Sequence, residues 1–218
     1  MKTNITALTA IIIIALSYSS STSAQTSNFA IKGSHNFGVS AGLINKTSVF
    51  VSGTDVETRI GFSGGVYYGY GLNDEFEMNF YAGYLQGEII TDNSLHVIEP
   101  TFRQTSAFVM PLLAGIKYYP TKLAFNENVR PYASVSAGIV TGFSTRTSLN
   151  FYYQNVTEHK SQSVAAFRLG AGIETAPARN FRIGLSAGYI LTGEFDEPVG
   201  TLTRYNGAEF NVTAGFSL

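Results

Sequence analysis

Apolar and polar residues alternate along most of the chain, and the last segment, 208–218, shows the alternation most clearly. Its even positions are apolar, as in Phe210, Val212 and Phe216, whereas its odd positions are small or polar, as in Glu209 and Thr213. A period of two residues gives an extended strand one apolar face and one polar face. The segment is therefore predicted to be an amphipathic β-strand.

The same alternation recurs along the chain and predicts eight strands in total. They cover 37–43, 60–70, 76–84, 108–119, 131–139, 165–174, 181–189 and 208–218. Most approach the roughly 9–11 residues that a tilted membrane strand needs. The links after the second, fourth and sixth strands are short, whereas 45–55, 87–104, 143–163 and 193–206 form long polar links. An outer-membrane barrel has this asymmetry and an even number of strands.

Aromatic residues gather at the predicted strand ends, as expected for the two interfacial belts of a membrane barrel. On the side of the short turns lie Tyr68, Tyr70, Phe76, Tyr118, Phe181 and Phe216, and on the side of the long loops lie Tyr84, Phe108, Tyr189 and Phe210. Pro111 falls inside the fourth predicted strand. Because proline cannot donate to a β-ladder and a closed barrel has no edge strand, we expect a bulge or a lost hydrogen bond there.

The first 24 residues have the organisation of a secretory signal peptide. Lys2 provides the positive start, 5–16 an apolar run, and Thr22-Ser23-Ala24 a small-residue cleavage site. The run is shorter than the roughly 20 residues that cross a bilayer as a helix. We therefore expect residues 1–24 to be removed, leaving one domain, 25–218, that opens with a polar lead at 25–32.

Composition narrows the class of protein. Charged residues make up 13% of the chain and hydrophobic residues 44%, cysteine is absent, and the net charge is -1. The lack of cysteine excludes disulfides and thiolate metal sites. The near-neutral charge gives no reason to expect nucleic acid as a partner. So little charge is unusual for a soluble domain and fits a surface that partly faces lipid.

A soluble eight-stranded carrier would show the same alternation but would bury its apolar face. The opposite face is dominated here by Gly, Ser, Asn and Thr, with a few charged residues among them. Eight strands enclose an interior just wide enough for side chains to fill it, and small residues fit there better than Phe, Leu and Met. We therefore predict an all-β fold, an eight-stranded antiparallel up-and-down transmembrane β-barrel with short periplasmic turns and long outward loops.

Seven charged residues belong to the predicted interior face. Four are basic and three are acidic: Arg59, Lys117, Arg168 and Arg182, with Glu77, Glu174 and Glu209. Unpaired charges would be costly inside the barrel, so we predict that they form a hydrogen-bonded ion network that fills the lumen. The alternative is a gated conduit in which one of the pairs opens to pass ions.

Several strand sequences resemble the outer membrane protein beta-barrel domain family of Gram-negative bacteria. The resemblance rests on 109–119, on Arg130-Pro131-Tyr132-Ala133, on Ala171-Gly172-Ile173-Glu174 and on the aromatic end of the last strand. It implies a barrel similar to OmpA or OmpX, of the kind called a porin family protein, in the cell outer membrane. The family has no shared catalytic residues to carry over. Leu218 departs from the family, in which a terminal Phe is usual, and Phe216 supplies the aromatic ring one pleat earlier.

The three histidines, His35, His96 and His159, are the candidates for catalysis or metal binding. Hydroxyl and carboxyl side chains lie near His96 and His159 in sequence, but no nucleophile motif accompanies them. Three scattered histidines do not make a recognisable metal site. We therefore predict no enzymatic activity, no metal site and no cofactor.

Two function classes remain. The first is a structural or interaction protein whose outward loops bind an extracellular ligand or surface, because loops on a rigid scaffold usually carry binding residues. The second is a small gated conduit, similar to a porin, for ions or small solutes. We favour the first, and we expect a monomer in outer-membrane lipid that depends on export and barrel-assembly machinery.

Overall fold

The computed structural model describes residues 29, 31–49, 56–87, 90–92, 95–96, 99–100, 103–126, 128–149, 155–178, 180–200 and 202–218. The predicted signal peptide, 1–24, lies outside these residues, as does most of the predicted polar lead.

Eight long strands form the protein. In chain order they are β1 His35–Val49, β2 Val56–Gly71, β3 Phe76–Gln86, β4 Arg103–Tyr118, β5 Val129–Leu149, β6 Asn155–Ala178, β7 Phe181–Thr192 and β8 Gly207–Ser217. Each strand pairs antiparallel with its sequence neighbours, and β8 pairs with β1, so the sheet closes into a barrel. The predicted eight-stranded antiparallel barrel is confirmed.

The links after β2 and β6 are short, as predicted, and the link after β4 contains a 3₁₀ helix, Thr121–Leu123. The link between β3 and β4 holds three short strands, Ile90–Asp92, Leu95–His96 and Glu99–Pro100.

The closing strand pairs with the first strand in the predicted region. Phe37 lies opposite Phe216, Val39 opposite Ala214, and Leu43 opposite Phe210. These residues belong to the exposed apolar face, of which Phe216 is 63% exposed. The other face is turned inward, where Glu209 is 2% exposed. A slip of one residue would exchange the two faces, so the alternation itself fixes this register.

Aromatic side chains form contacts at both ends of the outer face. At the short-turn end the ring centres of Phe76 and Tyr118 lie 4.9 Å apart, and those of Phe181 and Phe216 lie 5.4 Å apart. At the opposite end Phe108 stacks on Phe143 at 4.7 Å. Two aromatic belts border the lipid-facing band of a membrane barrel in this way.

Strands take up part of one predicted long link and most of another. β1 continues to Val49, inside the predicted loop 45–55, and β2 begins at Val56, directly after that loop. β5 and β6 replace most of the predicted loop 143–163. The prediction was wrong because the apolar alternation stops there, whereas the backbone ladder continues. A hairpin outside the membrane needs no apolar face, since its backbone bonds are independent of its side chains.

At Pro111 the ladder between β3 and β4 is interrupted without a change of register. Ala82 is bridged to Leu112 and Leu85 to Val109, but no bridge joins the residues between them. Tyr119 lies an even number of residues after Pro111, so the backbone N–H groups of the two positions point to the same side of the strand. The N–H of Tyr119 donates to the carbonyl oxygen of Glu75 on the β3 side at 2.7 Å. The missing donor of Pro111 therefore faces β3. Of the two predicted alternatives, this is the lost hydrogen bond and not the bulge.

Among the described residues, no helix has the length and apolar character needed to span a membrane.

Candidate functional site

Four of the predicted interior charges meet near the short-turn end of the barrel. We call Glu77, Lys117, Glu174 and Arg182 the ion cluster. The Nζ atom of Lys117 lies 2.7 Å from Oε1 of Glu174 and 3.7 Å from Oε1 of Glu77. Nη1 of Arg182 lies 3.3 Å from Oε2 of Glu77. All four side chains are buried, so two cations and two carboxylates compensate one another away from bulk water.

Neutral polar groups complete the bonding of the two carboxylates. The hydroxyl of Tyr119 donates to Oε2 of Glu174 at 2.8 Å, and Nδ2 of Asn36 donates to Oε2 of Glu77 at 2.5 Å. The ammonium of Lys117 lies 4.9 Å from the ring centre of Tyr132. Hydrogen bonds and aromatic faces of this kind offset part of the desolvation of buried charges.

Glycines beside the cluster leave the space that the acidic side chains occupy. A Cβ on Gly69 would lie 2.5 Å from Oε1 of Glu77, and a Cβ on Gly184 would lie 2.8 Å from Cγ of Glu174. Both glycines lie on the inward face of their strands, β2 and β7. The alternation of glycine with charge therefore lets an eight-stranded interior hold long ionic side chains.

A second ion pair lies farther toward the outward end. Nε of Arg168 is 2.6 Å from Oε2 of Glu209, and the guanidinium lies 5.0 Å from the ring centre of Tyr81. Between this pair and Lys117 is a polar cavity of about 60 Å³. Hydroxyl and amide side chains dominate its lining, among them Ser40, Asn79, Ser134, Ser136, Ser186 and Thr213.

The structure thus brings six of the seven predicted charges into two groups. The backbone of Arg59 lies in β2, opposite Lys46, but its side chain lies outside the described part of the chain. Lys46 itself was missed, because it falls in the predicted loop 45–55. Its side chain is buried, and its Nζ donates to the backbone oxygen of Gln86 at 2.9 Å. The even positions of β1 face inward, and continuing this alternation past Leu43 would have identified Lys46 as an interior residue.

An apolar cluster occupies much of the outward part of the interior, beside the buried side chain of Lys46. Inward residues of the wall, Ile44, Leu85, Val109, Leu113, Val140 and Ile190, form a buried cluster with residues of the link between β7 and β8. That link contributes Phe195, Val199, Leu202 and Tyr205, all at most 4% exposed. The expectation that 193–206 is an entirely outward polar loop is wrong, because its apolar side chains turn back into the barrel.

The two histidines whose side chains are described, His35 and His159, do not share a site. Nδ1 of His35 lies 2.9 Å from the hydroxyl of Tyr68 at the short-turn end, whereas Nδ1 of His159 lies 3.1 Å from Oγ1 of Thr145 in the outward hairpin. The side chain of His96 is outside the described residues. Within the described ranges, no three His, Asp or Glu side chains are grouped so that they could hold a metal ion.

A comparison with protein families identifies the fold. The model of the outer membrane protein beta-barrel domain matches residues 11–217. The chain belongs to this family. Members of the outer membrane protein beta-barrel domain family reside in the outer membrane, and this protein is an outer-membrane β-barrel. The family match also agrees with the resemblance of the strand sequences.

Several solved outer-membrane proteins are similar to this member of the family. The attachment invasion locus protein Ail of Yersinia pestis, in complex with the heparin analogue sucrose octasulfate, is 15% identical, with 84% of this chain and 99% of Ail covered and a TM-score of 0.49. Neisserial surface protein A is 14% identical over 86% of this chain and 97% of its own, with a TM-score of 0.48. OprG from Pseudomonas aeruginosa is 10% identical, with 88% of this chain and 99% of OprG covered and a TM-score of 0.48. No curated protein matches the chain.

Proposed function

We propose that this barrel is a non-enzymatic anchor in the outer membrane that presents its outward hairpin, formed by β5 and β6, to a protein partner. The lumen acts as a filled structural core in this proposal, with the seven predicted charges as its ion network. Two features support the proposal: the packing of the interior and an unpaired strand edge on β6.

The packing of the interior supports a structural role for the lumen. The ion cluster is held by ion pairs as short as 2.7 Å, and the apolar side chains of Phe195 and Tyr205 are buried at the outward end. A continuous conduit would need polar groups along a water path. Instead, a buried apolar cluster lies on the outward side of the polar cavity.

The observation that carries the proposed binding role is the unpaired edge of β6. β6 pairs with β5 as far as Asn155, but its pairing with β7 ends where Ala166 lies opposite Thr192. Among the described residues, 155–164 therefore have a strand neighbour on one side only, and on the other side Lys160 and Gln162 bond to Glu197 through their side chains. An exposed edge is a template for the addition of an extended segment from another chain.

The backbone groups available at this edge follow from one hydrogen bond. Gly193 donates its N–H to the carbonyl oxygen of Ala165 at 2.8 Å, so the backbone of Ala165 faces away from β5. In an antiparallel strand every second residue points the same way. Thr157, His159, Ser161 and Ser163 therefore direct their N–H and C=O groups toward the free edge.

Proline substitution tests the edge without removing the hairpin. Ser161→Pro deletes an N–H that faces the free edge and leaves the bonds to β5 in place, a position that proline tolerates. Ser161→Ala is the matched control, because it removes the same hydroxyl but keeps the N–H. Peptides selected from a display library against the protein in nanodiscs should bind Ser161→Pro at least tenfold more weakly than Ser161→Ala. Equal binding to both variants would exclude the edge as the binding element.

Planar-bilayer recording tests the filled lumen. The purified protein should give no stable conductance steps. Stable steps that change in Glu77→Gln or Lys117→Met would instead support the gated conduit.

A further inference from the structure

The short-turn end of the barrel is closed by a segment that precedes β1. Phe29 and Ile31 are 2% and 1% exposed, and they pack against Tyr119, Tyr132 and Ala176. The sequence predicts only a polar lead at 25–32. Its two bulky apolar side chains instead enter the barrel, where they cover the ion cluster from the short-turn side.

A tight turn directs this segment into the lumen. The N–H of Ser34 donates to the carbonyl of Ile31 at 3.0 Å, and Gly33 has φ 72°. A positive φ at the third turn residue is the geometry of a type II turn and favours glycine. The N–H of Gly33 also donates to the carbonyl of Gly71 at 2.8 Å, which fixes the turn to the end of β2. The chain therefore reverses: Phe29 and Ile31, before the turn, lie inside the barrel, and the residues after it join the wall.

The ring of Phe29 occupies a cage of two cations and a phenol. The guanidinium carbon of Arg182 lies 4.6 Å from the ring centre, and that of Arg130 lies 5.1 Å from it. The ring of Tyr119 meets it edge-on at 5.6 Å. Guanidinium groups are attracted to the faces of aromatic rings, most strongly where water is excluded. Because Arg182 also pairs with Glu77, this cage is continuous with the ion cluster.

The wall beside the segment is shaped to receive a backbone. A Cβ on Gly71 would collide with the carbonyl group of Ile31. Oγ of Ser34 lies 3.4 Å from Nη2 of Arg182, which donates to it. The wall thus offers an apolar floor, a cationic cage and a glycine that admits the peptide backbone.

The geometry points to a peptide-binding site at the short-turn end of the barrel, which takes this chain's own N-terminal segment as its ligand. The ligand class is a short extended peptide with a Phe, an aliphatic residue two positions later, and a glycine turn after it. The bound segment is a separable seal that keeps water from the ion cluster. This site lies at the opposite end of the barrel from the outward hairpin and is independent of the function proposed for that hairpin.

A single-cysteine probe measures the seal, because the natural chain has no cysteine. Ala176→Cys places a thiol in the buried floor of the site, and a water-soluble maleimide reports its access in nanodiscs, where both barrel ends are exposed. In this background, Phe29→Ser with Ile31→Ser should raise the labelling rate at least tenfold. Lys32→Ser, an exposed neighbour, should leave the rate unchanged. Heat-modifiable gel mobility verifies that each barrel is folded.

A substitution in the barrel wall, instead of in the segment, gives a second test of the seal. In the Ala176→Cys background, Gly71→Ala should displace the segment and raise the labelling rate at least tenfold, as Phe29→Ser with Ile31→Ser does. Gly64→Ala, in the same strand but on the lipid face, should not. If both the double variant and Gly71→Ala are folded and label at the parent rate, the segment is not a seal.

Addition of the ligand in trans tests whether the site binds a separable peptide. The peptide Phe-Ala-Ile-Lys-Gly-Ser should slow labelling of the double variant, and the same peptide with Ser at its first and third positions should not. Concentrations up to about 10 mM match the effective concentration that a short tether provides. Equal labelling with both peptides across this range would overturn the binding site.

Discussion

Lys117 of β4 and Glu174 of β6 form an ion pair across the barrel interior, with Nζ and Oε1 2.7 Å apart. Lys117 also lies directly opposite Glu77 in the β3–β4 ladder. One ammonium therefore serves two buried carboxylates that come from different strands. The other cation of the cluster, Arg182, lies 3.3 Å from Glu77. Because Lys117 contacts both carboxylates, its removal should disturb the charge balance of the whole cluster.

We expect Lys117→Met to reduce the free energy of unfolding by about 3–5 kcal/mol, because it leaves a buried carboxylate without its cation. The pair removal Lys117→Met with Glu174→Gln should recover part of this loss, since no ionised group is then stranded. Urea unfolding in lipid vesicles, followed by circular dichroism, measures both. A double variant that is as unstable as the sum of the single variants would contradict the coupling.

The hydrogen bond that is missing at Pro111 leads to a prediction of increased stability. Pro111→Val supplies the N–H that faces β3 and fits the apolar surroundings of Val109 and Leu113. One more ladder bond should stabilise the barrel by about 0.5–1.5 kcal/mol. Pro131→Val, at the start of β5, is the control and should give a smaller gain. Slower hydrogen exchange at Gly83, the residue opposite Pro111, would localise the effect to the β3–β4 seam, and unchanged exchange there would refute it.

The position of the lipid-facing band is tested on β8. Val212 is 48% exposed on the lipid-facing side, so Val212→Arg should destabilise the barrel by about 2–4 kcal/mol if it lies near the bilayer midplane. Thr157→Arg, in the outward hairpin, places the same charge outside the membrane and should cost about 0–1 kcal/mol. Heat-modifiable gel mobility reports folding of both. An equal loss of the folded band in the two variants would invalidate the assignment of the membrane band.

The alternation predicted the barrel well because lipid on one side and a narrow lumen on the other impose it on every strand. That constraint placed Phe37 opposite Phe216 and turned Glu209 inward. The alternation predicted less of the structure outside the membrane, where that constraint ends. The outward parts of β5 and β6 have no apolar face to continue the pattern, and Lys46 was lost with the end of β1.

The two segments that close the barrel could not be predicted from periodicity. Phe29 and Ile31, like Phe195 and Tyr205, are apolar residues in otherwise polar stretches outside the regular alternation. Their burial depends on the tertiary structure, because a turn must first bring them to the barrel opening. Isolated apolar residues in a loop are ordinary on any surface, so the sequence alone gives no signal that they are buried.

The outward closure yields the last prediction. Phe195 is 1% exposed and its ring meets that of Tyr205 edge-on, with the centres 6.2 Å apart. The hydroxyl of Tyr205 in turn donates to the carbonyl of Val199 at 2.6 Å, which holds the link in a compact fold. Phe195→Ala removes the largest apolar contact of the link and should cost about 3–5 kcal/mol, as for other buried Phe residues.

Phe195→Ala should loosen the link 193–206 before it unfolds the barrel, because the strands on both sides of the link remain hydrogen-bonded. Protease added outside intact cells should therefore cleave 193–206 in Phe195→Ala, while the parent resists and the heat-modifiable barrel persists. Glu194→Ala is the matched control: its side chain is 53% exposed in a surface pair with Arg204, and such pairs contribute about 0–1 kcal/mol. If the link resists protease equally in Phe195→Ala and Glu194→Ala, the apolar cluster does not hold it in the barrel opening.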